Sequence, residues 1–166
     1  MLSVRELNAL TRKLDDAELA RQLGPFVLVQ RPLPEVKRSN ELRPTARLPD
    51  MRVPPAPKGV FDFEDLWVAP LPPIVVDDSI RIGRAPDCDV IIEDETVSKY
   101  HARIEWKNAQ AVLEDLGSSN GTFLNTVRLR ARQQLKDNDV LAFGTVHVFF
   151  MLVTTLRRRM GVTRER

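Results

Sequence analysis

The sequence has few residues of the kinds that form covalent or metal-based cross-links. It contains one cysteine, Cys88, and two histidines among 166 residues. A single thiol excludes an internal disulfide and fits a reducing, cytoplasmic environment. The cysteine and histidines show neither C-x-x-C nor H-x-x-x-H spacing, so zinc-type chemistry is not indicated. We therefore expect no metal and no other cofactor.

Long apolar runs are also missing. The most apolar stretch, residues 146–156, is 11 residues long and includes His147, which is too short for a helix that crosses a bilayer. The first 25 residues carry charges of both signs, so they lack the apolar core of a secretory signal. We expect no membrane span.

The net charge is small but unevenly distributed along the chain. It is +2 overall, and residues 61–153 have 9 basic and 15 acidic side chains, a balance of −6. Residues 1–60 and residues 154–166 each have a balance of +4. Because a DNA-binding domain needs a basic surface, the acidic central segment argues against DNA as a partner.

Prolines divide the chain into segments. Eleven of the twelve fall between Pro25 and Pro73, and each removes a backbone donor and restricts the residue before it. The sequence therefore predicts a proline-rich linker over residues 25–64, with extended and partly polyproline backbone. Residues 1–24 are predicted to form an amphipathic helix, and residues 155–166 a basic C-terminal tail.

The predicted N-terminal helix has a start signal and one apolar face. Ser3 and Glu6 have the spacing of a capping box, and Gly24-Pro25 is a stop signal. The apolar residues recur at intervals of three and four, and they are Leu7, Leu10, Leu14 and Ala17. Two interpretations stay open: the helix packs on its own domain, or it binds a partner chain.

Residues 65–154 form the predicted folded body. Nine short β-rich runs are separated by turn residues, and they cover residues 66–69, 74–76, 79–83, 89–93, 101–106, 111–116, 126–130, 139–144 and 146–153. Many short strands at this spacing are typical of an antiparallel sandwich or barrel. The body is therefore predicted to be all-β.

The pair Ser98 and His101 raises the question of a hydrolytic triad completed by an acid such as Asp115. The chain has no G-x-S-x-G turn to expose such a serine, and three common residue types without a shared geometry are weak evidence. The acidic run at residues 87–95 lacks the glycine and the spacing of a calcium loop. We expect no catalytic residues.

Three segments have the donors that hold an anion. Arg84 has a planar guanidinium suited to phosphate, and Ser98 adds a hydroxyl and a free backbone N–H in an exposed predicted loop. Residues 116–125, LGSSNGTFLN, combine hydroxyls and amides with glycines that allow positive φ. Each feature alone is common in surface turns, but their order along the chain is specific.

Gly83-Arg84, Ser98-Lys99-Tyr100-His101 and Gly117–Thr122 together resemble the motifs of the forkhead-associated (FHA) domain, a β-sandwich that binds phosphothreonine peptides. The resemblance covers about residues 66–153. It implies that the body is an antiparallel sandwich of about eleven short strands, with the motif residues on loops at one end. One departure is Asn125-Thr126, because the family often has Asn-Gly here, and this weakens the prediction of a tight turn.

The resemblance implies a role for each matching residue. The residues expected to contact the phosphopeptide are Arg84, Ser98, Lys99, Ser119 and Asn120. Among them, Asn120 is expected to fix the peptide backbone on either side of the phosphothreonine. The residues expected to support the site are Gly83, His101 and Gly121. In particular, the histidine braces the loop that carries the serine.

The resemblance thus implies a phosphothreonine-peptide binding adaptor in Ser/Thr kinase signalling, without catalysis. Its partner is expected to be a phosphorylated Ser/Thr protein kinase or a substrate of one. The alternative is a phosphorylation-independent assembly module that acts through the N-terminal helix. The sequence indicates no oligomeric state.

Two threonines are candidate phosphoacceptors because basic residues lie beside them. They are Thr45, in Arg-Pro-Thr-Ala-Arg, and Thr11, before Arg12-Lys13. Thr45 precedes Arg84 by about 40 residues, so a flexible linker allows it to fold back onto the domain's own site at a high effective concentration.

Overall fold

The computed structural model describes residues 2–30, 44–47, 63–69, 71 and 79–161. The helices in this part of the chain are α1 (Val4–Thr11), α2 (Asp16–Leu23) and α3 (Val153–Arg159). The strands are β1 (Leu2–Ser3), β2 (Phe26–Gln30), β3 (Trp67–Ala69), β4 (Ser79–Gly83), β5 (Val90–Ile91), β6 (Ala102–Lys107), β7 (Gln110–Asp115), β8 (Thr122–Leu124), β9 (Val127–Arg128), β10 (Gln133–Gln134), β11 (Val140–Phe143) and β12 (Val146–Leu152). A short 3-10 helix, Phe63–Asp65, precedes β3.

The strands form two sheets that pack on each other. The larger sheet has the order β1-β3-β2-β12-β11-β8-β9, and the smaller has the order β10-β7-β6-β4-β5. Described neighbours are antiparallel except β4 and β5, which run parallel. The predicted all-β sandwich is confirmed, and one parallel pair at the edge of the smaller sheet departs from the expectation of a wholly antiparallel fold.

A shared apolar core lies between the sheets. Successive side chains of a strand point to opposite faces, so Ile80 and Ile82 of β4 are buried while Arg81 between them is exposed. Val148 and Phe150 of β12 enter the same core from the larger sheet. Each such side chain contributes about 1.5–3 kcal/mol on burial. This core holds the strand ends whose loops carry the motif residues.

Strand β2 corrects the predicted domain boundary. All residues of Phe26–Gln30 are buried, and the strand lies between β3 and β12, so the prediction that a linker follows the N-terminal helix directly is wrong. Phe26 and Leu28 belong to the core between the sheets, whereas Val27 and Val29 belong to a second cluster under the helices. A strand buried on both faces has a continuous apolar run instead of alternation, and the nearby prolines obscured it.

Parts of the predicted linker and one predicted strand cannot be compared with the fold. Residues 31–43 and 48–62 of the linker lie outside the described residues, and so do residues 74–76. The other eight predicted β-rich runs contain described strands. The strands that the pattern did not indicate are β1, β2, β8 and β10.

The N-terminal region forms two short helices where the sequence predicts one. α1 begins with the predicted capping box: Ser3 Oγ accepts from the Glu6 N–H, and the Glu6 carboxylate accepts from the Ser3 N–H. The chain turns after Thr11, and Asp15 caps α2 by accepting from the Glu18 N–H. The prediction of one continuous helix over residues 1–24 is therefore wrong, because a turn divides it into two.

All three helices pack on the outer face of the larger sheet. Leu7 of α1, Leu19 of α2 and Leu156 of α3 belong to one buried cluster that includes residues of β2, β3 and β12. The predicted apolar stripe is only partly correct, because Leu10 is 68% exposed near the end of α1. The N-terminal helices dock on their own domain, which was one of the two open interpretations.

The basic C-terminal tail was predicted to begin at residue 155, and the structure places this start within a helix. Residues 155–159 belong to α3, and the side chain of Arg157 is buried. Its guanidinium donates to the carbonyls of Thr11 and Leu14, so it joins the C-terminal helix to the turn between α1 and α2. Residues 162–166 lie outside the described residues. Among the helices that the structure describes, none has the length and apolar character to span a membrane.

The hairpin between β8 and β9 forms a tight turn without glycine. Leu124 pairs with Val127, so Asn125 and Thr126 form a two-residue loop with φ of 47° and 72°. Such turns need positive φ at both central residues, a conformation that a β-branched residue rarely adopts. The Asn125 side chain stabilises the turn by donating to the Asp139 carboxylate. The turn that the sequence disfavoured is present.

Candidate functional site

Strand register brings the predicted motifs to one end of the sandwich. Ile82 pairs with Ala102, and Ala102 pairs with Asp115 in the next strand. Because neighbouring strands run in opposite directions, the end of β4, the start of β6 and the end of β7 lie level with one another. Arg84, Ser98 and residues 116–121 belong to the loops that meet at this end.

Backbone hydrogen bonds join the Arg84 loop to the Ser98 loop. The Arg84 N–H donates to the Ser98 carbonyl at 3.0 Å, and the Ala85 N–H donates to the Lys99 carbonyl at 3.0 Å. This approach requires glycine at position 83, since a Cβ there would lie 2.2 Å from the Lys99 carbonyl oxygen. The supporting role expected for Gly83 thus has a steric basis.

His101 connects the Ser98 loop to the 116–121 loop. It is buried, and its Nδ1 accepts from the Ser98 N–H at 3.0 Å. The ring proton is therefore on Nε2, which donates to the Gly121 carbonyl at 3.1 Å. Burial lowers the pKa of His101, against smaller opposing effects of the Gly121 bond and the Asp115 charge. The neutral ring is a brace between two loops.

These contacts do not form a hydrolytic triad. The Ser98 hydroxyl oxygen accepts from the Ser119 N–H at 3.0 Å. Both ring nitrogens of His101 are engaged with backbone groups. A serine nucleophile needs a hydrogen bond between its hydroxyl and the base, and here the base contacts the serine backbone.

Asp115 shapes the 116–121 loop. Its carboxylate accepts from the Ser118 and Thr122 hydroxyls, both at 2.6 Å, and from the N–H groups of Gly117 and Ser118. Burial acts to raise the pKa of Asp115, but the hydroxyl and N–H donors outweigh it, and the pKa is lowered. The ionised carboxylate therefore organises the loop.

The 116–121 loop ends in a turn that directs Asn120 inward. Gly121 has a φ of +85°, which glycine adopts without strain. Asn120 is 5% exposed, and its Nδ2 donates to the Thr96 carbonyl at 2.8 Å. The neighbouring loop thereby orients the amide.

A short segment of the chain, residues 44–47, lies against these loops. The Ala46 N–H donates to the Glu95 carbonyl at 2.7 Å, and the Ala46 carbonyl accepts from Asn120 Nδ2 at 2.7 Å. Both backbone groups of one residue are therefore bound. Because these are main-chain contacts, they do not depend on the side chain at position 46.

The Arg84 guanidinium lies next to the same segment. Its Nη2 is 3.5 Å from Thr45 Oγ1, and its Nε donates to the Val97 carbonyl at 3.1 Å. The bond to Val97 holds the planar group in place, and the contact to Thr45 is at the limit of hydrogen-bond distance. A cationic group therefore faces a threonine hydroxyl.

The predicted contact residues lie at this end of the sandwich, but Ser98 is less accessible than expected. It is 8% exposed, which corrects the expectation of an exposed loop, and Arg84 is half-buried. The Ser98 N–H, expected to be free, is bound by His101. The side chains of Lys99 and Ser119 are exposed.

Thr11 is not a suitable phosphoacceptor. Its side chain is 4% exposed, and its hydroxyl donates to the Leu7 carbonyl at 2.7 Å. A kinase needs an accessible hydroxyl, and this hydroxyl is buried and bound within its own helix. The prediction for Thr11 is therefore wrong.

Sequence reasoning missed Thr96 and Gly144. The Thr96 carbonyl orients Asn120, and the Thr96 hydroxyl donates to Asp94 and contacts Thr145. Gly144 has a φ of +57°, and a Cβ there would lie 2.4 Å from Thr96 Oγ1. A glycine at the end of a predicted strand is a recognised signal of close backbone approach, and it was the available clue.

Comparison with known proteins agrees with the motifs. The FHA domain family model matches residues 80–144. Over 50 residues the chain is 38% identical to the FHA domain-containing protein FhaB of Mycobacterium tuberculosis. This match covers 30% of this chain and 32% of FhaB. Over 88 residues it is 34% identical to an ABC transporter ATP-binding/permease protein of that organism, which covers 53% of this chain and 10% of the transporter protein.

A solved structure from work on phosphothreonine-dependent FHA domain interactions is 30% identical to the chain, with a TM-score of 0.45. That match covers 53% of this chain and 84% of the other. The matched part of the chain spans about a third of FhaB and a tenth of the transporter protein. The motif order and the family match together show that residues 80–144 of the chain are an FHA domain.

Proposed function

We propose that this chain binds peptides that carry phosphothreonine and that it does so without catalysis. The observation that carries the proposal is the joint contact of Arg84 and Asn120 with one short peptide segment. The guanidinium lies beside a threonine hydroxyl, and the amide binds the next carbonyl along the chain. In this arrangement the Arg84 guanidinium binds the phosphate, and the Asn120 amide binds the ligand backbone next to it.

The phosphate supplies most of the proposed binding energy. It has a charge of about −1.5 to −2 at neutral pH. Arg84 provides charge-assisted donors, and the Ser98 hydroxyl, which accepts from Ser119, can still donate its own proton. Bonds of this kind contribute about 1.5–3 kcal/mol each. After the cost of ordering the peptide, three or four of them correspond to a Kd of about 1 μM, or about −8 kcal/mol.

Binding without turnover fits the local chemistry. His101 is neutral and braces two backbone groups, so it does not activate the Ser98 hydroxyl. The FHA domain at residues 80–144 is of a phosphopeptide-binding type. That the chain as a whole has no enzymatic activity is part of the proposal.

The proposed partner is a phosphorylated Ser/Thr protein kinase or a substrate of one. We place the interaction in the cytoplasm, where such kinases use ATP. Cys88 is a free, buried cysteine, which fits a reducing compartment. The adaptor role follows because recognition of a phosphate by this site joins two proteins only after a kinase has acted.

The alternative assembly function is less well supported by the fold. It requires the N-terminal helix to present an apolar face to another protein. Leu7 and Leu19 instead face the domain's own sheet, and Leu10 is an isolated exposed side chain on α1. A binding helix of this kind needs several adjacent apolar anchors.

An array of phosphothreonine peptides with varied flanking residues tests the proposed function. Matched arrays carry threonine or phosphoserine at the same position, and the full chain is the probe. We expect a Kd of about 1 μM for the best phosphothreonine peptides and at least about 100-fold weaker binding of threonine peptides. One methyl group is worth about 0.8 kcal/mol, so phosphoserine binds about fourfold more weakly. Equal binding of phosphorylated and unmodified peptides would contradict the proposal and favour the assembly function.

A further inference from the structure

The peptide segment at the candidate site belongs to the chain itself. We propose that Thr45 is a phosphorylation site and that phosphothreonine at this position is an intramolecular ligand of the FHA domain. The bound segment closes the site to phosphopeptides of other proteins. This inference rests on the proposed function and adds the regulation of the same site.

Three contacts determine which residue of the segment faces the phosphate-binding position. Arg84 Nη2 is 3.5 Å from Thr45 Oγ1, Asn120 Nδ2 donates to the Ala46 carbonyl, and the Ala46 N–H donates to the Glu95 carbonyl. The family resemblance implies that the arginine contacts the phosphate and the asparagine holds the backbone beside it. Thr45 therefore has the position of the phosphothreonine, and Ala46 that of the residue after it.

The identity of the residue in this position supports the inference. Thr45 is the single threonine among residues 31–66, a stretch that also has one serine, Ser39. The residue beside Arg84 is therefore the one threonine of a long connection. Arginines at positions 43 and 47 flank it, and many Ser/Thr kinases accept basic neighbours of this kind.

The fold keeps Thr45 close to the site. Gln30 at the end of β2 pairs with Trp67 at the start of β3, so both ends of the connection between them are fixed in one sheet. The residues from 31 to 44 span at most about 50 Å, at about 3.3–3.6 Å per residue. A domain of this size has a radius of gyration of about 13 Å, so the reach is sufficient. A tethered ligand has an effective concentration of about 1 mM.

Phosphorylation strengthens a contact that is weak in the unmodified chain. A Ser/Thr kinase transfers the γ-phosphoryl group of ATP to Thr45 Oγ1. The bond from the γ-phosphorus to the β–γ bridging oxygen breaks, ADP leaves, and the hydroxyl proton passes to the base of the kinase. The product places three acceptor oxygens and about −1.5 to −2 charge beside the Arg84 guanidinium, which can form two parallel charge-assisted bonds.

Two further hydroxyl groups lie on the loops that meet at this end of the sandwich, and the family resemblance implies that both contact the phosphate. Ser98 and Ser119 are linked by a hydrogen bond of 3.0 Å from the Ser119 N–H to Ser98 Oγ. Ser119 has an exposed side chain, and both hydroxyls can turn toward an anion. The neutral Thr45 hydroxyl, at 3.5 Å from Arg84, gains little from this environment. The phosphorylated side chain gains charge-assisted bonds from Arg84 and, as the family resemblance implies, from the two serine hydroxyls.

The test compares two forms of the full chain, one unmodified and one with phosphothreonine incorporated at position 45 during translation. The probe is a fluorescent phosphothreonine peptide, the strongest binder from the array. With an effective concentration of about 1 mM and a Kd of about 1 μM, modification at Thr45 weakens probe binding about 1,000-fold. The matched control has phosphothreonine at Thr126, on the exposed hairpin at the opposite end of β8, and we expect it to change the Kd less than about twofold.

The two forms separate failure of the inference from failure of the proposed function. Probe binding to the unmodified chain, with the same affinity for the form modified at Thr45, overturns the inference and leaves the function standing. No binding of any phosphothreonine peptide to the unmodified chain overturns both. An equal loss of affinity on modification at Thr45 and at Thr126 also overturns the inference, because added charge alone then explains it.

A second measurement identifies the ligand pocket and the chain that supplies the ligand. The phosphorus NMR resonance of phosphothreonine 45 is expected to differ from that of a free peptide of residues 40–50, and Arg84→Ala is expected to restore the free value. The difference between the two resonance positions is expected to be independent of protein concentration. A dependence on concentration, with dimers in light scattering, contradicts the intramolecular form because the phosphate then binds a second copy.

Discussion

The loops of the candidate site and the helices on the outer face of the larger sheet are held together in different ways. In the loops, polar groups bond to one another, as in the contacts of Ser98 with Ser119 and His101. Under the helices, Leu7 and Leu19 are buried among apolar side chains. One hydrogen bond contributes about 1 kcal/mol net, whereas truncation of a buried leucine costs about 2–5 kcal/mol.

This difference indicates how the molecule divides its tasks. Hydrogen bonds are directional, so a network of them positions Arg84 and Asn120 while adding little to the free energy of unfolding. Apolar burial is non-directional and large, so the helices stabilise the sheet from which the loops extend. We expect changes under the helices to affect unfolding and changes in the loops to affect binding.

The largest expected effect is on stability, from Leu19→Ala. Leu19 is 0% exposed, and its truncation leaves a cavity that lowers the free energy of unfolding by about 2–5 kcal/mol. Urea denaturation measures the loss, and phosphopeptide titration of the folded fraction is expected to give an unchanged Kd. Leu10→Ala, at a 68% exposed position, is the matched control and is expected to cost less than about 0.5 kcal/mol. A large change in Kd for Leu19→Ala would contradict the view that the helices affect stability and the loops affect binding.

Arg84→Ala is expected to weaken binding strongly and to change the free energy of unfolding only slightly. Loss of the guanidinium weakens phosphopeptide binding about 100-fold, or about 2.7 kcal/mol, as measured by calorimetry. The free energy of unfolding changes by about 1 kcal/mol or less, because one bond to the Val97 carbonyl is lost. Arg81→Ala removes an exposed arginine of β4 that pairs with Asp87 and is the control. Wild-type affinity of Arg84→Ala would contradict the proposed site.

Ser98→Ala tests the boundary between the two regions, since this side chain joins two loops and is also one of the proposed phosphate contacts. Removal of its hydroxyl leaves the Ser119 N–H without this acceptor, which costs about 1 kcal/mol of stability. We expect phosphopeptide binding to weaken about tenfold, which corresponds to about 1.4 kcal/mol. Ser79→Ala, at the other end of β4, is the control. A change in stability without any change in Kd would restrict Ser98 to a structural role.

The smallest expected effect is the pH dependence that arises from His101. Burial lowers its pKa in the folded state, so below about pH 6.5, the usual histidine value, the unfolded chain binds more protons than the folded one. Stability is therefore complete above that pH and declines as the pH falls toward the folded pKa. Urea midpoints between pH 5 and 8 measure the decline. We expect His101→Gln to remove this slope and His147→Gln to retain it, and a slope that persists in His101→Gln would contradict the brace.

The features that could be predicted from the sequence are those whose signals lie close together in the chain. The capping box of Ser3 and Glu6 was predicted because both partners are three residues apart. The FHA motifs could be recognised in the sequence because each is a run of adjacent residues. Leu10 was assigned to the apolar face of the helix, but it is exposed, since the end of α1 depends on how the helix meets the sheet.

By itself, the sequence determined the β-rich body and the order of the motif residues, because these depend on neighbouring residues and on the alternation of side chains along a strand. Only the tertiary structure decided that Phe26–Gln30 completes the larger sheet, that His101 is a neutral brace, and that Thr45 lies beside Arg84. Each of these depends on contacts between residues far apart in the chain. Such contacts are selected by which surfaces bury the most apolar area and satisfy the most backbone donors, and no local pattern encodes that choice.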